Sequence, residues 1–335
     1  MATTGDFKKA IELINKSKSW LVTSHTRPDG DAVGSMKAIC EIAGQLGKDA
    51  KPILLSPPAQ WYKNIFNSPV AVLGNDLKPA ELQNGSFGQF DLVIIVDTNS
   101  YIQLVQFDKW LKTSKVPVLV IDHHVTGDNL GTVEVIDSTA AATGEIVFDL
   151  FKSAGWKITP AIAEALFIAI STDTGWFRFE NTDARVMRNA SSLIELGAKP
   201  SDIYHKMFQN YSPERIKLLG KMLENLELYH DGKIALQFIM RSDFDSTGAT
   251  GSDTEDFVNE CQRVGSVKAV ALFVELKDGG FRCSLRSDGS VDVQKIASQL
   301  GGGGHKVASG VNLKGSLAEV KKLILEKFEK NLLKK

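Results

Sequence analysis

His25-Thr26-Arg27-Pro28-Asp29-Gly30-Asp31 places one imidazole and two carboxylates in a single turn, directly after the apolar run Trp20-Leu21-Val22-Thr23. The arrangement returns twice. Asp97 closes the run Leu92-Val93-Ile94-Ile95-Val96, and Asp122-His123-His124 closes Val118-Leu119-Val120-Ile121. Short β-branched runs ending in acidic or imidazole groups describe buried parallel strands with polar residues at their carboxyl ends. In an open α/β sheet those ends converge on the crevice where ligands bind. Carboxylates packed there repel one another, and cations relieve the repulsion. The pattern therefore points to a metal centre with two ions.

Oxygen ligands with one or two imidazoles and no thiolate suit Mn(II), Co(II) or Fe(II). Structural zinc prefers cysteine-rich sets, and all-oxygen magnesium sites rarely recruit histidine. Two ions about 3.5–4 Å apart form the clamp used in phosphoester hydrolysis, one of them acidifying a bridging water. Asp97, at the centre of the sheet, is best placed to bridge them. Each group also has a plainer use. Asp97 could cap a turn through Thr98-Asn99-Ser100, Asp31 could be a helix N-cap, and Asp173 before Thr174-Gly175 could serve a turn. His123-His124 could be a core histidine beside an exposed one. A shared sheet edge for all of them favours the metal centre.

The elements that must position these groups alternate along the first half of the chain. Helices are expected at 6–16, 31–46 and 107–113, with Asp31 as N-cap of the second. Strands are expected at 21–23, 51–55, before Asp97 and before Asp122. Such alternation means an α/β fold, a mostly parallel, doubly wound sheet with right-handed crossovers. Helices follow at 140–151 and 160–170, the latter running into Ser171-Thr172-Asp173-Thr174-Gly175, and at 183–196 before Gly197. Ser212-Pro213 begins a connector helix as N-cap and N1. From Lys233 the pattern is strand, loop, helix (254–263), two strands (269–275 and 281–286) and helix (293–300). A glycine run, a short strand and an amphipathic terminal helix complete a smaller α/β domain. The expected division is 1–196 for the metal-binding domain, 197–229 for a helical linker and 230–335 for a substrate-binding domain.

His25-x-x-x-Asp29-x-Asp31, Asp97, Asp122-His123-His124 and Asp173 together resemble the four motifs of the DHH phosphoesterase superfamily. Gly301-Gly302-Gly303-Gly304-His305-Lys306-Val307-Ala308-Ser309-Gly310 resembles the signature of its DHHA1 C-terminal domain. Ser171 to Phe179 and Ser284-Leu285-Arg286-Ser287 are most similar to the NrnA-like branch of bifunctional nanoRNases and pAp phosphatases. The resemblance implies two manganese ions, with cobalt, iron or magnesium as substitutes. It implies that His25, Asp29 and Asp97 hold the first and that Asp31, Asp97, His123 and Asp173 hold the second. It makes Asp122 the group that orients His123 and turns His124 toward the scissile phosphate. Ser309 stands where the family more often has alanine, and Thr126-Gly127-Asp128-Asn129-Leu130 where it often places an aromatic. Neither touches an expected ligand.

In the smaller domain, Gly302, Gly303 and Gly304 before His305 allow close backbone approach to an anion. Arg286 on the neighbouring strand offers a guanidinium fork for phosphate oxygens, and Lys306 a second charge. The plainer reading is a flexible turn. Arg178 is a candidate phosphate contact. Trp176, Phe177 and Phe179 could stack on a base but are more simply core packing. The resemblance implies that the second domain grips the nucleotide so that its phosphoester reaches the metals.

Composition narrows the field. Among 335 residues, 43% are hydrophobic and 24% charged, and the net charge is −1. That charge disfavours long duplex gripped through many phosphates, leaving short single-stranded RNA, pAp or dinucleotides. No run approaches the roughly 20 apolar residues of a membrane span, and the first residues lack a secretion signal. Cys40, Cys261 and Cys283 are scattered, which suits a reducing cytoplasm. A homodimer is left open. The expected activity is manganese-dependent hydrolysis of short oligoribonucleotides to mononucleotides and of pAp to AMP. Its rivals are a linear or cyclic dinucleotide phosphodiesterase, an inorganic pyrophosphatase and a non-catalytic nucleotide-binding regulator. A dinucleotide-dependent dehydrogenase is excluded, since no G-x-G-x-x-G follows the first strand.

Overall fold

Strand β1 (Ser19–Thr23) follows helix α1 (Thr4–Lys16) and leads through the His25–Asp29 turn into α2 (Gly30–Gln45). Next come β2 (Asp49–Leu54), β3 (Ala71–Val72), α3 (Pro79–Gln83), β4 (Leu92–Val96), α4 (Phe107–Thr113), β5 (Val118–Asp122) and β6 (Val133–Ile136). This computed structural model describes residues 4–58, 62, 65–125, 127–209, 211–304 and 306–332. The strands form one parallel sheet in the order β3-β2-β1-β4-β5-β6. The order reverses between β1 and β4, the switch point at which doubly wound sheets bind ligands. His25 follows β1 and Asp97 follows β4, so the sequence places both at that point.

The central strands are buried on both faces. Trp20, Val22, Ile94, Val96, Leu119 and Ile121 face one core, shared with α1, α2 and the later helices of this unit. Leu21, Val93, Ile95, Val118 and Val120 face the other, with Leu82, Phe107 and Leu111 of α3 and α4. Successive strand residues point to opposite faces, so a strand between two helix layers must be apolar throughout.

Helices α5 (Thr143–Ser153), α6 (Pro160–Asp173), α7 (Ala184–Glu195) and α8 (Pro200–Phe208) complete this unit. Helix α2 packs on α6 at Gly34, where an added Cβ would lie 2.5 Å from the Ala165 carbonyl oxygen and 2.9 Å from the Ala169 nitrogen. These are backbone atoms that cannot swing away. Gly34→Val should therefore cost about 1–3 kcal/mol through overpacking, lowering the thermal midpoint by several degrees in a calorimetric scan. An unchanged midpoint would show that the helices part freely there.

The chain divides into two compact units, Met1–Asn210 and Tyr211–Lys335. The stretch 197–229, expected as a linker, is thus shared: α8 lies in the first unit and α9 (Pro213–Glu224) in the second. Ser212 caps α9 by accepting from the Arg215 N–H, with Pro213 at N1. The second unit continues with β7 (Glu227–Tyr229), β8 (Ile234–Ile239), α10 (Arg241–Thr247), β9 (Ala269–Glu275), β10 (Phe281–Ser287), α11 (Val293–Gln299), β11 (Gly303–Gly304), β12 (Ala308–Leu313) and α12 (Leu317–Leu332). Its sheet runs β11-β12-β10-β9-β8-β7, antiparallel except for β8 with β9. The helix expected at 254–263 is instead two 3₁₀ segments, Gly251–Thr254 and Phe257–Arg263. Asp256 between them has φ +63°, which no right-handed helix accommodates.

Candidate metal centre

Asp97 stands at the middle of the site in a left-handed backbone conformation, φ +62°. Its N–H continues the ladder to the Ile121 carbonyl at 2.9 Å, so the chain leaves β4 only after the carboxylate has been set at the sheet edge. A non-glycine residue held there is strained, and such strain persists where the surroundings over-determine it. The surroundings are imidazoles. His25 Nε2 lies 3.2 Å from Asp97 Oδ2 and 3.9 Å from Asp29 Oδ1. His123 Nε2 lies 3.5 Å from Asp97 Oδ1, 3.4 Å from Asp173 Oδ2 and 4.0 Å from Asp31 Oδ2. Asp97 thus turns one oxygen toward each of two groups, His25 with Asp29 and His123 with Asp31 and Asp173.

Both imidazoles are aimed in the same way. His25 Nδ1 meets the Thr26 carbonyl at 2.8 Å and His123 Nδ1 meets the Ala140 carbonyl at 3.3 Å. A carbonyl only accepts, so Nδ1 carries the hydrogen and Nε2 faces the carboxylates, as metal-ligating histidines require. Ligands 2.0–2.2 Å from one cation lie roughly 3.0–3.5 Å from each other, and the shorter separations above fall in that range. Among the described residues, His25–Asp29–Asp97, Asp31–His123–Asp173 and Asp97–His123–His124 can each offer three atoms to one ion. These acidic and imidazole groups can hold divalent metal.

The electrostatics agree. Burial alone would lower the two imidazoles, but bonding and charge from Asp97, with Asp29 on His25 and with Asp31 and Asp173 on His123, raise His25 to about 9 and His123 to about 10. Burial would raise Asp97, yet the His123 and His25 hydrogen bonds hold it well below the usual carboxylate range. Burial and the Asp97 charge push Asp173 up to about 7 and Asp31 well above its ordinary value. The cluster draws positive charge to one point.

Two expectations are corrected here. Asp31 is not the N-cap of α2. Asp29 is, accepting from the Ala32 N–H at 3.1 Å. Asp31, wholly buried, accepts instead from the N–H groups of Thr143 (2.6 Å) and Gly144 (2.9 Å) and from the Ser35 hydroxyl (3.2 Å). Nor does Asp122 orient His123. Its Oδ1 accepts from the His124 backbone N–H at 3.2 Å and lies 2.7 Å from His124 Nδ1, because residues two apart on extended chain share a side. Asp122 Oδ2 is buried without a hydrogen-bond partner among the described residues, the kind of oxygen that an ordered water or a cation satisfies.

The helix expected from Ala140 begins at Thr143, because residues 140–142 form a turn that serves the site. Ala140 holds His123, Thr143 gives its hydroxyl to Asp97 Oδ1 at 3.1 Å, and Asn181 Nδ2 ties the Ala141 carbonyl to that of Asp173. Buried Glu145 fixes the turn from below, accepting from the Ala141 N–H at 2.9 Å and from Asn189 Nδ2 at 2.7 Å. None of these was apparent as a site residue in the sequence. The run of small residues just before the helix was the available signal. Asp173 ends α6 rather than lying in the turn beyond it.

Beyond Asp173, Trp176 and Phe177 pack with Phe167, and Trp176 also with Tyr204 and Phe208, so these two aromatics serve the core. Phe179 is 55% exposed beneath the Arg178 guanidinium, and Arg178 Nε donates to the Gly175 carbonyl at 2.6 Å.

In the second unit, Arg286 on β10 pairs with Ala308 of β12. It donates from Nε to Asn259 Oδ1 at 3.1 Å and from Nη1 to the Leu285 carbonyl at 3.0 Å. Burial lowers its pKa. Gly302 donates its N–H to the Ala297 carbonyl at 2.8 Å and so does not offer it to an anion. A Cβ there would meet the Gly310 carbonyl oxygen at 2.2 Å, so this glycine is required for packing. Gly303 and Gly304 are exposed on β11, and Lys306 is exposed after them. His305 and Thr126 lie outside the described residues.

The DHH family N-terminal domain matches residues 19–170, and the DHHA1 domain matches 231–334. The bifunctional oligoribonuclease and PAP phosphatase NrnA of Thermus thermophilus is 30% identical over 318 residues, spanning 93% of this chain and 89% of that protein. The chain belongs to the DHH family, with a DHHA1 domain following the DHH domain. It is also similar to NrnA of Bacillus subtilis, 28% identical over 308 residues and spanning 90% of this chain and 92% of that one. The crystal structure of an exopolyphosphatase-related protein from Bacteroides fragilis shares the fold, with a TM-score of 0.91 at 23% identity over 98% of this chain and 97% of the other. Among the described residues, no helix is long and apolar enough to cross a membrane.

Proposed function

We propose that the chain hydrolyses short oligoribonucleotides to mononucleotides and converts pAp to AMP, at a centre of two manganese ions. His25, Asp29 and Asp97 would hold one ion, and Asp31, Asp97, His123 and Asp173 the other. The observation that carries the reading is Asp97, whose two oxygens face different imidazoles at 3.2 and 3.5 Å. When bound, such a pair supplies an acidified water and neutralises charge on the phosphoryl oxygens.

The chain's own groups do the rest. Asp122 anchors His124 through Nδ1, and His124 would contact the scissile phosphate. The Asp122 hydrogen bond raises the His124 pKa and favours the protonated, donating ring. Arg286 is a fork for a second phosphate, and Arg178, with its Nε engaged, keeps its terminal nitrogens for another. Exposed Gly303, with open space where a side chain would stand, lets substrate approach the backbone, and His305 is a further candidate contact. A net charge of −1 suits short ligands better than long duplex.

The test is a substrate panel with manganese supplied: pAp, di- to pentaribonucleotides, cyclic di-AMP and pyrophosphate. Turnover of pAp and of the diribonucleotide is expected, without phosphate release from pyrophosphate. Cyclic di-AMP turning over while both favoured substrates stay intact would overturn the assignment, and tight nucleotide binding without turnover would make the chain a regulator.

A further inference from the structure

Thr143, buried at the first turn of α5, touches both halves of the metal centre. Its N–H donates to Asp31 Oδ2 at 2.6 Å and its hydroxyl to Asp97 Oδ1 at 3.1 Å. The residue is held in place on both sides. Gly144 donates to Asp31 Oδ1 at 2.9 Å, and a Cβ on Gly144 would meet the Ala169 Cβ at 2.5 Å, so α5 already lies against α6. Before it, the Ala141 N–H is tied to Glu145, whose other oxygen is tied to Asn189. Arg185 bridges Asp137 and Asp149, each at 2.9 Å, bracing the entry to the turn against α5.

A carboxylate rotates easily about its terminal torsion, which is broad and roughly two-fold. Asp97 can divide its oxygens between two ions only if that rotation is fixed. His25 Nε2 fixes Oδ2 from one side. On the other, the Thr143 hydroxyl is nearer to Oδ1 than either His123 Nε2 at 3.5 Å or His124 Nδ1 at 4.0 Å.

We propose that Thr143 is a positioning residue whose hydroxyl sets the plane of the Asp97 carboxylate and thereby the affinity of the Asp31–His123–Asp173 half of the centre. The proposal rests on the two-ion reading above. Thr143→Val keeps the shape and the backbone N–H to Asp31 and removes only the hydroxyl. Thr143→Ser keeps the hydroxyl.

Calorimetric titration of the full chain with manganese, paired with thermal scans of the metal-free protein, separates the possibilities. Two ions are expected in the wild type. In Thr143→Val one step should weaken about 10–100-fold, as when a partner of a metal ligand is lost. The other step and the metal-free midpoint should hold, and Thr143→Ser should restore the wild-type isotherm. If Thr143→Val fails to fold, Thr143→Ala carries the same expectation against Thr143→Ser. Fewer than two ions in the wild type overturns the two-ion reading itself. Two ions in the wild type with unchanged binding in Thr143→Val overturns only the role of Thr143. So does a parallel loss of both steps and of the midpoint, since that marks a merely structural residue.

Discussion

Asp97→Asn is expected to lose hydrolysis of pAp and of a diribonucleotide together, each by at least about 10³-fold. Loss of a group that merely supports a metal ligand costs about 10–100-fold in affinity or activity, and under the proposed reading Asp97 would be a ligand of both ions. Asparagine is the informative replacement. It preserves the volume and tolerates the left-handed conformation at φ +62° better than alanine does. The change therefore removes the negative charge and one acceptor while sparing the turn. Circular dichroism should match the wild type, and initial rates on the two substrates should fall in step. Retention of either activity would separate the two reactions and defeat the idea of one shared centre.

His124→Ala should lower kcat on both substrates by about 10²–10³, the usual cost of deleting one donor aimed at developing charge. The ring is half-exposed, anchored through Nδ1 on Asp122, and 4.0 Å from Asp97 Oδ1. Metal stoichiometry should stay at two. Asp122→Asn should act in the same direction and less strongly, because it loosens the ring without removing it. A rise in KM with kcat intact would mean that His124 only binds ground-state phosphate. Loss of one ion instead would make His124 a ligand, as its grouping with Asp97 and His123 allows.

The strand runs carried the fold into plain view. Leu92–Val96 and Val118–Asp122 are apolar on both faces because helices cover both, and apolar runs with polar ends read as central parallel strands without further help. The same topology makes residues far apart in sequence neighbours at the switch point. His25, Asp97 and His123 were therefore legible as a cluster. What stayed hidden was decided by contacts that no local pattern encodes. Asp29 and Asp31 are both acidic at a helix start. Asp29 became the cap because the N–H groups of Thr143 and Gly144, over a hundred residues on, capture Asp31. Asp122 serves His124 because alternate residues share a side, while His123 finds the Ala140 carbonyl across the sheet edge. The turn at 140–142 is composed of alanine, whose strong helix preference conceals a loop held by its carbonyls and N–H groups. Beyond Gly251, a positive φ at Asp256 split the expected helix in a way that composition did not announce.

Diffraction from manganese-soaked crystals, recorded at a wavelength where manganese scatters anomalously, addresses the centre most directly. Two peaks about 3.5–4 Å apart should appear at the carboxyl ends of β1, β4 and β5, each bonded to a different oxygen of Asp97. A single peak, or two that share no protein ligand, would contradict the assignment.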